Sequence, residues 1–149
     1  MSLNGTYDDQ NIFAKILRGE LPAVRLFETD KVLAFMDLFP QSEGHALVIS
    51  KTSQARNILE AEPQVLVELI AAVQKLTRAM TAALNPDGVM VGQFNGAPAG
   101  QTVYHLHFHV IPRYEGKPLG RHGEGAADIG QLTVLAARIA AALAAELSS

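Results

Sequence analysis

The chain has 149 residues, a formal charge of −3, and 48% hydrophobic against 18% charged residues, the balance of one ordinary globular domain. Its slight acidity argues against a nucleic-acid-binding surface, no apolar run approaches the ~18–20 residues of a membrane span, and the polar start up to Asp9 carries no apolar leader, so a cytoplasmic protein is expected. With no cysteine, disulfides and thiolate metal sites are excluded.

A first helix is predicted over Asp9 to Arg18: Asp8 or Asp9 can cap it, Ile12, Phe13, Ile16 and Leu17 form its apolar stripe, and Gly19 can end it. Ala23 to Glu28 alternates weakly as a strand, and Thr29-Asp30-Lys31 turns it into a second strand, Val32 to Asp37. Phe39 to Gly44 is a loop by composition. His45 to Ser50 is nearly continuously apolar, as a strand buried on both faces would be. Ser53 to Leu59 reads as a helical turn. Pro63 opens a long helix ending near Leu84, with Val65, Leu66, Leu69, Val73, Leu76 and Met80 at helical spacing. Gly88 to Phe94 is a fourth strand. A glycine-punctuated loop, Asn95 to Thr102, leads into Tyr104-His-Leu-His-Phe-His-Val-Ile-Pro-Arg113. Glu115 to Ala127 is irregular, and Ile129 to Leu147 is a helix with Leu132, Leu135, Ile139 and Leu143 on one side. This order predicts one domain over residues 1–149, α+β, with a five-stranded mainly antiparallel sheet; crossover helices for a parallel sheet are missing.

In an extended strand, His105, His107 and His109 share one face at about 6–7 Å spacing, while Leu106, Phe108 and Val110 line the other. Three groups that titrate near neutral pH can attack, transfer protons, hold an anion or bind a metal. Gly96, Gly100, Gln101 and Thr102 can turn several N–H groups toward one point, a nest for anionic oxygen, and the Thr102 hydroxyl adds a donor. An anion cradle beside an imidazole points to attack on phosphorus through a covalent phosphohistidine. A metal site competes, since alternate positions can place two ligands on one ion. Three would be spread too widely, however, and Glu115, beyond Pro112 and Arg113, cannot complete the shell. Taken singly, His45 and His122 read as ordinary core or surface histidines.

The segment Gly100 to Arg113 resembles the histidine-triad signature, His-x-His-x-His followed by two apolar residues. Residues 12–22 resemble that family's opening helix, and residues 32–40 and 44–51 its second and third strands, so the motif-bearing part runs from about 11 to 113. The C-terminal helix, about 129–147, matches only in kind. The resemblance implies a histidine-triad-like fold, a homodimer, and a nucleoside phosphoramidase-type hydrolase or transferase acting at the α-phosphate of an AMP-like nucleotide. It implies His107 as nucleophile, a backbone carbonyl on its other nitrogen, His109 at the phosphate and leaving group, and His105 and His45 as supports. Gly100, Gln101 and Thr102 would hold the phosphate. Ile12, Phe13, Ile16, Phe35 and Leu38 would line the nucleoside pocket, with Asp37 and Asn95 toward the ribose. Without the resemblance, Phe13, Ile16 and Phe35 read as core packing and Asp37 as a solvated strand end. Some relatives carry Cys-x-x-Cys in the first helix for zinc; here those positions are Asn11 and Ala14, so no zinc and no other cofactor is expected. Rival readings are a dinucleoside polyphosphate hydrolase and a nucleotide-binding regulatory module with vestigial activity.

Overall fold

The computed structural model describes residues 3–120 and 125–147, so His122 lies outside it. In chain order the elements are α1 (Ile12–Leu17), β1 (Arg25–Glu28), β2 (Val32–Met36), β3 (Ala46–Ser50), α2 (Pro63–Leu84), β4 (Gly88–Gly92), a 3-10 turn (Ala97–Ala99), β5 (His107–Arg113) and α3 (Ile129–Leu147). The strands form one sheet in the order β1-β2-β3-β5-β4, every neighbouring pair antiparallel. The fold is α+β, as the alternation of short strands and long helices implies.

The two faces of the sheet serve different purposes. On one, Ala34, Met36, Ala46, Val48, Phe108 and Val110 pack with Leu69, Val73, Leu76 and Met80 of α2 and with Leu132, Ile139 and Leu143 of α3. On the other, Leu33, Phe35, Leu47 and Ile49 pack with Phe13 and Ile16 of α1. Both helix stripes match the sequence periodicity except at their margins, where Val65, Leu66 and Leu135 are half-buried. Asn85 ends α2 in the left-handed conformation (φ 48°), and Arg138 of α3 donates from Nη2 to the Ala83 carbonyl at 2.8 Å. A cation at that end of a helix opposes its dipole.

Local hydrogen bonds explain where the sequence expectations shift. The α1 cap is Asn11, whose side chain accepts the Ala14 N–H at 2.9 Å, whereas the Asp8 side chain accepts the Gln10 N–H ahead of the helix. Asn11 and Ala14, the positions where some relatives carry cysteines, are therefore a cap and a buried packing residue. No helix forms over Ser53 to Leu59: Ser50 Oγ accepts from Thr52 and Ser53, and Ser53 Oγ accepts from Ala55, side-chain bonds that compete with a helical turn. The histidine strand starts at His107 rather than ahead of His105, because the Leu106 N–H goes to the Ala55 carbonyl instead of a sheet neighbour. Gly44 has φ +95°, and a Cβ there would lie 2.5 Å from Leu84 Cδ1 and 3.1 Å from Pro112 Cγ. Only glycine allows the chain to enter β3 at this closeness. No helix among the described residues is long and apolar enough to cross a membrane.

The two-faced arrangement makes a direct prediction. Leu76 is fully buried beneath the sheet, whereas Val134 is 63% exposed. Leu76→Ala should cost about 2–5 kcal/mol in urea unfolding, and Val134→Ala less than about 0.5 kcal/mol.

Candidate active site

The alternation of β5 sends Phe108 and Val110 into the core beneath α2 and α3 and leaves His107 and His109 on the α1 face. There His107 pairs with Ile49 and His109 with Leu47 of β3. The two rings stand 5.0 Å apart, and Phe13 of α1 meets His107 edge-on at 4.9 Å. Both open onto a cavity of about 120 Å³ walled by Ile12, Phe13, Ile16, Phe35, Leu38 and Leu47, with Asp37 and Thr102 as its other polar groups. Phe94, given no role in the sequence reading, flanks the far side of His109 at 5.3 Å.

Partners of fixed polarity assign the ring protons. His107 Nδ1 lies 2.7 Å from the His105 carbonyl, which can only accept, so Nδ1 carries the hydrogen and neutral His107 has its lone pair on Nε2. The expected carbonyl is thus present, but it comes from the triad's own first residue. His45 Nδ1 accepts the Gln41 N–H at 3.0 Å, so its proton sits on Nε2. That Nε2 is 3.0 Å from His109 Nδ1 and 3.4 Å from Asp37 Oδ2. His109 Nδ1 therefore accepts, and His109 carries its hydrogen on Nε2. Two adjacent rings are left with opposite properties: a lone pair on His107 and an N–H on His109. His105 stands just before the strand, 2% exposed, with Nε2 donating to the Ser50 carbonyl at 3.0 Å. Burial pushes its pKa down, and the Ser50 bond partly offsets this.

Several candidate residues occupy places other than those expected. The Gly100 N–H donates to the Ala97 carbonyl and the Gln101 N–H to the Gly96 carbonyl, at 3.0 and 3.1 Å. The Gln101 side chain is buried, accepting from Gly96 and donating to the Arg56 and Val103 carbonyls. Both amides, read from the sequence as part of a phosphate nest, are engaged here in closing the 3-10 turn. Thr102 is exposed and lines the cavity. Asn95 bonds Gln93 and the Ile58 N–H and is not part of the cavity wall. Asp37 is 4% exposed, not a solvated strand end, and its Oδ1 accepts the Phe39 N–H at 2.8 Å.

The fold also supplies the carboxylate that sequence proximity did not: Asp37, His45 and His109 bring one ligand atom each to within 4.8 Å of one another. These three do not suit a cation. Coordination through His45 Nε2 would move its proton to Nδ1, directly against the Gln41 N–H. The cluster fits a hydrogen-bonded relay instead.

A family model described as the HIT domain matches residues 18–116. The crystal structure of a Hit-like protein involved in cell-cycle regulation from Bartonella henselae matches with a TM-score of 0.87 and 47% identity, covering 93% of this chain and 99% of that one. An adenosine 5′-monophosphoramidase of Schizosaccharomyces pombe is 41% identical over 114 residues, 76% of this chain and 79% of that protein. An adenylylsulfatase of Arabidopsis thaliana is 36% identical over 112 residues, 75% of this chain and 56% of that protein.

The depressed pKa of His105 has a consequence for stability. Below the ordinary imidazole value of about 6.5, the unfolded chain takes up a proton that the buried ring refuses. Stability is therefore lost as pH falls from that value toward the lower folded one. Between about pH 7.5 and pH 5.5 the urea midpoint of the wild type should fall further than that of His105→Asn.

Proposed function

The chain belongs to the HIT domain family, and on that premise we propose that it is a cytoplasmic, homodimeric hydrolase cleaving adenosine 5′-phosphoramidates at the α-phosphorus through a nucleotidyl intermediate on His107. The observation that carries this reading is the opposite polarity of the two facing imidazoles. His107 Nε2 attacks phosphorus while its Nδ1–H stays on the His105 carbonyl. As the P–N bond breaks, the departing amine takes a proton from solvent while the His109 Nε2–H holds it by a hydrogen bond, since a neutral imidazole that gave up that hydrogen would be left an anion. The adduct leaves positive charge on His107. Water then attacks the same phosphorus, returns a proton to solvent and releases AMP and the original His107 ring.

Thr102 donates its hydroxyl to the phosphate at the cavity mouth. Ile12, Phe13, Ile16, Phe35 and Leu38 enclose the base in an apolar slot. Asp37 accepts from the ribose through lone pairs shared with the Phe39 amide and His45, since each carboxylate oxygen can take two donors. The names of the two relatives add support: adenosine 5′-monophosphoramidase and adenylylsulfatase both specify an adenylyl group, joined to different leaving groups. A site built around the α-phosphorus accounts for both.

For the dimer, the support is exposed apolar surface. Val67 and Ile70 lie one turn apart on α2 at 56% and 51% exposure, and Met90 and Val91 stand exposed on the edge strand β4. Exposed apolar side chains gathered into one contiguous patch mark a contact with another chain, whereas scattered ones do not; for the dimer we take these four as one patch.

Incubation with adenosine 5′-phosphoramidate should release AMP. His107→Ala should reduce kcat by at least about 10³-fold, and Thr102→Ala by about 10²-fold. Equal, slow release by wild type and His107→Ala would remove the catalytic claim. In sedimentation velocity the wild type should run at twice the chain mass and Ile70→Glu as a monomer; a monomeric wild type would refute the dimer.

A further inference from the structure

The segment ahead of α1 lies outside the residues matched by the family model, yet it reaches the histidines. At one end the Leu3 carbonyl accepts from Asn57 Nδ2 at 3.0 Å. At the other, the Asp8 carbonyl accepts from Asn11 Nδ2 at 2.7 Å. Between these anchors Tyr7 brings its hydroxyl to 2.7 Å from His105 Nδ1, with the two rings 5.8 Å apart.

His105 has one proton arrangement that satisfies its surroundings. The Ser50 carbonyl cannot donate, so His105 Nε2 carries the hydrogen. Nδ1 of the neutral ring then presents a lone pair, and the Tyr7 hydroxyl must be the donor. The same residue's backbone carbonyl receives the His107 Nδ1–H. Because β5 begins only at His107, the sheet ladder does not hold the backbone at position 105. Its placement rests on the Leu106–Ala55 bond that follows and on the two bonds that clamp the ring.

We propose that Tyr7 is a positioning residue for the nucleophile: by clamping His105 it holds the carbonyl that keeps the His107 hydrogen on Nδ1 and the lone pair on Nε2. The chain of contacts runs from the Tyr7 hydroxyl to the His105 ring, from the His105 carbonyl to His107 Nδ1, and across the His107 ring to the attacking nitrogen. Tyr7 touches no reacting atom. Its loss widens the range of His105 orientations and, with it, the share of His107 rings bearing the hydrogen on the wrong nitrogen. The kinetic part of this inference rests on the phosphoramidase reading; the structural part does not.

Tyr7→Phe keeps the ring and removes only the donor. Long-range ¹H–¹⁵N spectra of the imidazoles in the unliganded protein read the tautomers directly. The wild type should show His105 with hydrogen on Nε2 and His107 with hydrogen on Nδ1. In the variant, His107 should become a mixture of tautomers. With adenosine 5′-phosphoramidate, kcat should fall about fivefold, the effect of one net hydrogen bond, while KM stays within about twofold because the nucleoside pocket is untouched. An unchanged His107 tautomer in the variant overturns the proposal, whether kcat stays at the wild-type value or falls in step with the melting temperature; the second case would make Tyr7 a stabilising contact only. If the wild type itself fails to release AMP, the phosphoramidase reading is what fails, and the spectra alone decide the role of Tyr7.

Discussion

Three backbone groups of fixed polarity determine where the protons of four imidazoles sit. The Ser50 and His105 carbonyls can only accept, and the Gln41 amide can only donate. In water a neutral imidazole interconverts freely between its two tautomers. Here each wrong choice would bury a donor against a donor or an acceptor against an acceptor, a mismatch of about 1–3 kcal/mol. That is enough to leave one form dominant at His105, His107 and His45. His109 inherits its tautomer from His45, so the whole row is set by the main chain.

The fold serves this arrangement by making those main-chain groups stationary. Ser50 ends β3, a strand buried along its whole length. Gln41 lies in the loop that returns through Gly44, where a φ of +95° strains any residue that carries a side chain. The strand carrying His107 and His109 presses its alternate residues into the core shared with α2 and α3. A rotation of the imidazoles out of place would therefore drag Phe108 and Val110 out of close packing. Among the described residues no side chain of α2 or α3 lines the cavity, and the contribution of these helices to the site is to pack against β5 from behind.

Much of the fold was legible from pattern. The period of α2 and α3 identified both helices to their observed ends, and the alternation around His107 and His109 assigned their face. The parts that were not legible share a cause: they depend on backbone groups, which every residue carries and no sequence distinguishes. Gly100 and Gln101 read as an anion nest because their backbone is unhindered, but a 3-10 turn has its own use for those amides. Asp37 read as either a solvated strand end or a ribose contact. It is buried, because the turn after β2 folds the Phe39 amide onto one oxygen and β3 brings His45 toward the other. His105 read as an equal member of a strand; its ring is held instead from two sides by Ser50 and Tyr7. Tyr7 carried no signal at all, since nothing about an aromatic residue in a polar leader indicates which ring it will reach.

The same proton arrangement bears on how such a site favours reaction over mere binding. His45 and His109 each accept a hydrogen bond at Nδ1, and burial disfavours a charge on His105. An arriving nucleotide phosphate therefore meets hydrogen-bond donors but no fixed cation from this cluster. In the proposed reaction the cation appears only when His107 joins phosphorus, a few ångströms from the phosphoryl oxygens and in a setting poor in water, where charge interactions are strong. A permanent positive charge would hold substrate and transition state alike, which lowers KM without raising kcat. A charge created by the attack is stronger at the transition state than before it, and only that difference accelerates the chemistry.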